Sequence, residues 1–134
     1  MAEKSTMHGK PGGGIFGSTA VTIASGAAVS SEIDARNWGL ARMFIPAGWV
    51  ASDIGFLYAT SQGGAYSVAK DQSATPVPLK ITGINVTTAF NYQLPTASMT
   101  GQWMKLRKMS TTSNSTAAVN QTGGAVTVWF SWKG

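Results

Sequence analysis

Residues 102–109 hold the side chains of this chain that are best suited to binding chemistry. If this segment is an extended strand, Trp103, Lys105 and Arg107 share one face, because alternate side chains of a strand point to opposite sides. Exposed tryptophan with arginine is typical of protein interfaces and of platforms for single-stranded nucleic acid. The sequence therefore predicts a binding surface here, although a Trp103 that covers a neighbouring strand beside solvated cations explains the pattern equally well.

A second tryptophan is expected to join this surface. The last apolar run, residues 125–132, alternates so that Trp129 lies on its outer side. We predict that Trp129 and Trp103 lie on the same outer surface of the folded domain.

The chain contains few residues that could perform catalysis. It has one histidine, His8, no cysteine and five acidic residues that are not spaced as a metal-ligand set. His8 lies in a glycine-rich segment, where no Ser-His-Asp or Cys-His arrangement is expected. Residues 9–14 are rich in glycine but lack the Gly-Lys-Ser/Thr ending of a phosphate-binding loop. The sequence therefore predicts a protein that is not an enzyme and has no cofactor.

Charge is scarce and unevenly distributed. Charged residues are 11% of the 134 residues, well below the roughly 25% typical of soluble proteins. All five acidic residues precede residue 72, and five basic residues in the same part of the chain balance them. The net charge of +5 therefore belongs to the C-terminal half. This composition predicts an exterior that is largely covered by a partner, although a neutral surface rich in serine, threonine and glycine is the alternative. An acidic partner is allowed, but its class is not defined.

The sequence shows no sign of export or membrane insertion. Its first residues lack the apolar stretch of a secretory signal, and no apolar run approaches the roughly 20 residues of a membrane helix. We expect a protein made in the cytoplasm, with no membrane partner.

Residues 1–17 are predicted to be a flexible basic arm, and residues 18–134 a single domain. The arm contains Lys4, Lys10 and five glycines without a periodic apolar pattern, so it cannot repay the entropy of ordering alone. Ile15 and Phe16 are its apolar residues. They are expected either to pack against the domain or to dock on a neighbouring protein.

The remainder has the pattern of an all-β domain. Short apolar or β-branched runs alternate with turn-forming residues, and residues 30–34 could form one helical turn. The runs are residues 19–24, 38–45, 53–60, 65–70, 77–81, 86–94, 102–109 and 125–132. About eight short antiparallel strands predict a β-sandwich of jelly-roll type.

Five segments, in order, resemble a group of small virion proteins of tailed bacteriophages. They are VTIASGAAVSSEID (residues 21–34), MFIPAGW (43–49), IGFLYATSQG (54–63), WMKLRKMST (103–111) and NQTGGAVTVWF (120–130). Together they cover nearly the whole predicted domain.

The resemblance implies a capsid decoration or cement protein, located on the capsid exterior of the virion. Such a protein binds the major capsid protein, bridges neighbouring shell subunits and is often a homo-oligomer, here a dimer or trimer, without specific nucleic acid. The predicted partner contacts are Lys4, Lys10, Ile15, Phe16, Trp103, Lys105, Arg107 and Trp129.

Two other functions remain open at this point. One is a tail- or fibre-associated adhesin that binds carbohydrate through Trp49, Trp103 and Trp129. The other is a protein that binds single-stranded nucleic acid through Trp103, Lys105, Arg107 and Lys108.

Overall fold

The computed structural model describes residues 7–9, 15–36, 40–82, 84, 90–93 and 102–133. These residues form strands, turns and loops, and they include no helix that could cross a membrane. The strands are β1 (Met7–Gly9), β2 (Ile15–Ile23), β3 (Ile33–Asp34), β4 (Leu40–Ile45), β5 (Asp53–Ala59), β6 (Ser67–Val68), β7 (Lys80–Ile81), β8 (Phe90–Gln93), β9 (Trp103–Met109) and β10 (Val126–Lys133). The all-β prediction is confirmed, and each of the eight predicted runs overlaps one of these strands.

The strands form two antiparallel sheets. In the first sheet the order is β1-β2-β10-β4-β8, and in the second it is β3-β9-β5-β6, with β7 also paired to β5. The last strand, β10, lies between β2 and β4 and thus completes the centre of the first sheet. Both sheets therefore depend on pairing between segments that are far apart in the sequence.

One hydrophobic cluster takes side chains from the inner faces of both sheets. In β10 the alternating residues Val126, Val128, Phe130 and Trp132 are all buried. The rings of Phe130 and Trp132 stack with centroids 5.0 Å apart. The Trp132 indole N–H donates a hydrogen bond to Thr19 Oγ1 at 3.1 Å, which satisfies the polar end of this buried ring.

The first sheet begins further toward the N terminus than the sequence predicts. Strand β2 starts at Ile15, and its residues Phe16 and Gly17 are register partners of Lys133 and Trp132 in β10. Strand β1 pairs with the start of β2. The boundary predicted at residue 18 thus falls inside β2, because the end of β10 needs backbone hydrogen-bond partners. Residues 1–6 and 10–14 of the predicted arm lie outside the described residues.

Residues 30–34 do not form the helical turn that the sequence allowed, and they lead instead into strand β3. Ile33 and Asp34 form β3 and pair with β9. Ile33 is buried and Asp34 is exposed, which is the alternation of a strand. The Ser30 N–H also donates to the Leu106 carbonyl at 3.0 Å. Strand β9 thus supplies a backbone hydrogen-bond partner that a helical turn would have found within its own residues.

Gly55 lies where β5 meets the buried side chain of Met109 at the end of β9. A Cβ atom at this position would overlap the Sδ and Cε atoms of Met109. We expect Gly55→Ala to lower the free energy of unfolding by about 1–3 kcal/mol, because a fully buried side chain must be displaced. Urea unfolding of the purified variant measures this loss.

The same substitution in a Met109→Ala background is the control. If the overlap with Met109 is the cause, Gly55→Ala costs less in that background than in the wild type. Equal costs in the two backgrounds would contradict this explanation.

Candidate binding surfaces

The outer face of the second sheet carries the side chains that the sequence singled out in β9. Trp103, Lys105 and Arg107 are half-buried and point away from the core, while Met104 and Leu106 are fully buried on the inner side. The alternation predicted for this strand is therefore present. This outer surface is termed the β9 face.

Trp103 is partly covered by a charged pair from the segment that follows β3. The guanidinium carbon of Arg36 lies 4.6 Å from the centroid of the Trp103 ring. Arg36 also donates two hydrogen bonds to Asp34, each 2.9 Å long. These hydrogen bonds lower the pKa of the Asp34 carboxyl. The ring of Trp103 is thus already in contact with a cation of its own chain, and that cation is already neutralised.

Lys105 has a similar environment. Its ammonium lies 4.6 Å from the centroid of the Tyr66 ring. The Tyr66 hydroxyl donates a short hydrogen bond to the Glu32 carboxylate, which also accepts the Gly63 N–H at 2.8 Å. The hydrogen bond from Tyr66 is the main reason that the pKa of Glu32 is lowered, and burial is the main reason that the pKa of Tyr66 is raised. An acid thus lies close to the second cation of the β9 face.

The β9 face is therefore mixed in charge. Arg107 is half-buried, and its Nε atom has no hydrogen-bond partner among the described residues. The acidic side chains of Glu32 and Asp34 lie among the cations of this face, so these residues do not form the continuous basic groove that follows a nucleic-acid backbone.

Lys108 and Trp49 lie inside the domain, which corrects two residues of the alternative functions. Lys108 is fully buried; its ammonium donates to the Val50 carbonyl at 2.9 Å and lies 4.2 Å from the centroid of the Trp49 ring. Burial lowers the pKa of Lys108 to about 8. Trp49 is buried as well, and its indole N–H donates to Ser52 Oγ. Neither side chain can contact nucleic acid or carbohydrate without unfolding, and strand alternation alone already places Lys108 on the inner side.

Gln121 joins Lys108 to two loops. Its Oε1 atom accepts hydrogen bonds from the Lys108 ammonium at 2.5 Å and from the Val50 N–H at 3.2 Å. Its Nε2 atom donates to the carbonyls of Gly48 and Gly124 at 3.0 and 3.2 Å. This buried amide is fully hydrogen-bonded, so we interpret the cluster as structural.

Trp129 lies in the other sheet, which corrects its predicted position. It belongs to β10 and is 51% exposed, whereas Trp103 belongs to β9 on the outer side of the second sheet. Trp129 pairs instead with Ala20 of β2 and Phe44 of β4, and Phe44 is itself 37% exposed.

Phe44 is a surface residue that the sequence interpretation missed. In the sequence, residues 38–45 are apolar on both faces apart from Arg42, a pattern typical of a central strand that is covered on both sides. The structure buries Met43 and Ile45 but exposes Arg42 and Phe44. A charged residue two positions before an aromatic one in a strand was the available signal that this face is open.

The outer face of the first sheet is termed the aromatic face, and it includes three rows around Trp129 that cross the strands. By register, the central row is Ala20, Trp129, Phe44 and Asn91, one row is Thr22 and Thr127, and the other row is Ser18, Ser131, Arg42 and Gln93. The hydroxyls of Thr22 and Thr127 lie 3.2 Å apart and share a hydrogen bond. The described side chains of this face include no acidic group.

The remaining predicted contact residues belong to the N-terminal segment. Ile15 and Phe16 lie in β2, and the structure describes their backbone only. Lys4 and Lys10 lie outside the described residues. Their contact with a partner stays a prediction.

The described residues contain no group of three or more histidine, cysteine or acidic side chains that could hold a metal ion. No protein-family model, curated protein or solved structure gives a significant match to this chain.

Proposed function

We propose that this chain is a non-enzymatic structural protein of a virion, of the capsid decoration or cement type. In this role it binds the exterior of the shell, bridges neighbouring major capsid subunits and acts as a homo-oligomer. The observation that carries the proposal is the aromatic face. Two exposed aromatic side chains, Trp129 and Phe44, are adjacent on a sheet face whose described side chains carry no acid, and exposed tryptophan is an anchor of protein interfaces.

We also propose that the two sheets form a jelly-roll-like sandwich. If β1 is set aside and β6 and β7 are counted as one strand, eight strands remain. The first then pairs with the eighth, the second with the seventh, the third with the sixth and the fourth with the fifth. This is the pairing of one long hairpin rolled into two sheets, which is how a jelly roll is built. The single hydrophobic cluster between the sheets supports the same arrangement.

The resemblance of residues 21–132 to tailed-phage virion proteins supports the same function. Low charge suits a protein whose surface is covered in an assembly, and many copies on a shell turn modest single contacts into a large total affinity. Lys4 and Lys10 would meet acidic patches of the shell, with Ile15 and Phe16 as apolar anchors beside them.

Co-sedimentation of the purified protein with undecorated heads of its own phage tests this function. We expect saturable binding at a fixed ratio to the major capsid protein. A variant that lacks residues 1–14 keeps β2 whole but loses β1 together with Lys4 and Lys10, and, once circular dichroism has verified its fold, it is expected to bind more weakly. Absence of binding by the full-length protein would overturn the proposed function. Equal binding by both forms would show that the N-terminal segment does not contribute to shell binding.

A second candidate is carbohydrate binding by a tail- or fibre-associated domain. Sugar rings stack on exposed aromatic side chains, and Trp129 is flanked along its strand by the hydroxyl groups of Thr127 and Ser131. Glycan-array binding by the wild type that Trp129→Ala abolishes would favour this candidate over the capsid role.

A further inference from the structure

We infer that the aromatic face, and not the β9 face, is the surface that docks on the shell. Its partner is a protein surface with an apolar depression and at least one carboxylate at its rim. This inference rests on the proposed function and assigns it to one side of the domain.

The first argument is the continuity of the central row. Ala20, Trp129 and Phe44 are direct register partners on three adjacent strands, and directly opposed side chains lie about 5 Å apart. They therefore form one apolar stripe across the sheet, roughly 10 Å between its outer strands. The register partner of Trp129 on β2 is the small residue Ala20, and Trp129 is 51% exposed. A partner can thus enclose the ring, as occurs for tryptophan anchors of interfaces.

The second argument is the polar border of this stripe. The Thr22–Thr127 pair bounds it on one side, and Ser18 and Ser131 bound it on the other. Thr22 and Thr127 already share a hydrogen bond, so they cost little to cover. Short hydroxyl side chains around a buried aromatic centre exclude water while contributing little energy themselves, which is the arrangement found around interface anchors.

The third argument is charge. Arg42 lies in the outer row between Ser131 and the register position of Gln93, is exposed, and forms no ion pair with any described residue. On the β9 face, by contrast, Arg36 has Asp34 and Lys105 has Glu32 nearby. A partner that covers the aromatic face must therefore supply the carboxylate that Arg42 lacks.

The same chemistry favours a protein over a carbohydrate. Carbohydrate hydroxyls are oriented by a few precisely placed polar groups, among which carboxylates and amides accept and donate in fixed directions. The described side chains of the aromatic face offer hydroxyls and one guanidinium but no carboxylate, and the amide residues of β8, Asn91 and Gln93, occupy register positions only at its edge. An aromatic stripe with an exposed guanidinium in the bordering row is suited to an acidic, partly apolar protein surface.

The test compares shell binding by surface variants of the full-length protein. We expect Trp129→Ser and Arg42→Glu each to weaken binding at least tenfold. Trp129→Phe keeps an aromatic ring and is expected to stay within about threefold of the wild type, since most of the buried apolar area is retained. Lys105→Glu makes the same type of charge change on the β9 face and is expected to bind as the wild type does. Circular dichroism and urea unfolding verify that each variant is folded.

The possible failures are distinguishable. If the wild type does not bind shells, the proposed function fails and this inference fails with it. If the wild type binds and Trp129→Ser binds equally well, or if Lys105→Glu alone abolishes binding, the function stands and the docking face is wrong. If Trp129→Ser instead converts an oligomer into a monomer in sedimentation velocity, a second copy of this chain occupies the face. If shells are not bound and Trp129→Ser abolishes binding to glycans, a carbohydrate occupies the aromatic face. Either result overturns the inference.

Discussion

Replacing Lys80 by alanine is expected to lower the free energy of unfolding by about 3–5 kcal/mol, because it leaves a buried carboxylate without its counter-charge. The Lys80 ammonium lies 2.9 Å from Asp53 Oδ2, and the two side chains are only 7% and 4% exposed. Lys80 also donates to the main-chain carbonyls of Ser110, Thr112 and Ser115 at 2.9 to 3.1 Å. One ammonium therefore neutralises Asp53 and holds the loop after β9 against the second sheet.

Two comparisons separate this mechanism from a general effect of removing a lysine. Lys70→Ala changes an exposed lysine nearby and is expected to shift stability by less than about 0.5 kcal/mol. The double variant Lys80→Ala/Asp53→Ala is expected to lose less than the sum of the single losses, because neither charge is then left buried alone. Additive losses would contradict the ion-pair explanation. Amide hydrogen exchange should also become faster in residues 110–115 of the Lys80 variant.

Raising the pH from about 8 to about 10.5 is expected to stabilise the fold through Lys108, by up to about 3 kcal/mol. The pKa of this buried amine is lowered to about 8 in the folded state, whereas a lysine in the unfolded chain titrates near its usual pKa of 10.5. Between these pH values the unfolded chain binds more protons than the folded chain, so stability rises with pH. Below pH 8 Lys108 is charged in the folded protein, so the cost of burying this charge is present. The hydrogen bonds to Val50 and Gln121 and the contact with the Trp49 ring offset part of that cost.

Lys108→Met isolates this contribution. Methionine has a similar length and no charge, so the difference in unfolding free energy between wild type and variant should change between pH 8 and pH 10.5. Other groups that titrate in this range are present in both proteins, so their contributions cancel in the difference. A difference that stays constant with pH would show that Lys108 titrates normally in the folded protein. Urea unfolding at several pH values supplies the measurement.

Much of the secondary structure could be predicted from local pattern. In β9 and β10, alternation fixed which side chains face inward, because adjacent residues of a strand must point to opposite sides. The pattern failed for β2, where Gly17 was interpreted as part of a flexible arm. The backbone of Gly17 lies in the sheet because Trp132 of β10 is its register partner. It failed again for residues 30–34, where the edge of β9 decided the conformation.

The candidate site was harder to predict, for a different reason. Alternation tells which face of its own strand a residue occupies, but not to which sheet the strand belongs. Trp103 and Trp129 were therefore placed together, although their strands lie in different sheets. Phe44 is adjacent to Trp129 only because β10 inserts beside β4.

The sequence by itself determined the class of the fold, the inward and outward sides of the long strands, and the scarcity of catalytic groups. These properties depend on residue type and on spacing within a few residues. The tertiary structure alone decided that Trp129 and Phe44 form one stripe, that Arg36 covers Trp103, and that Lys80 and Lys108 are buried. Each of these contacts joins segments that are distant in the chain, and it exists only once strand order and register have been fixed by the packing of the whole core.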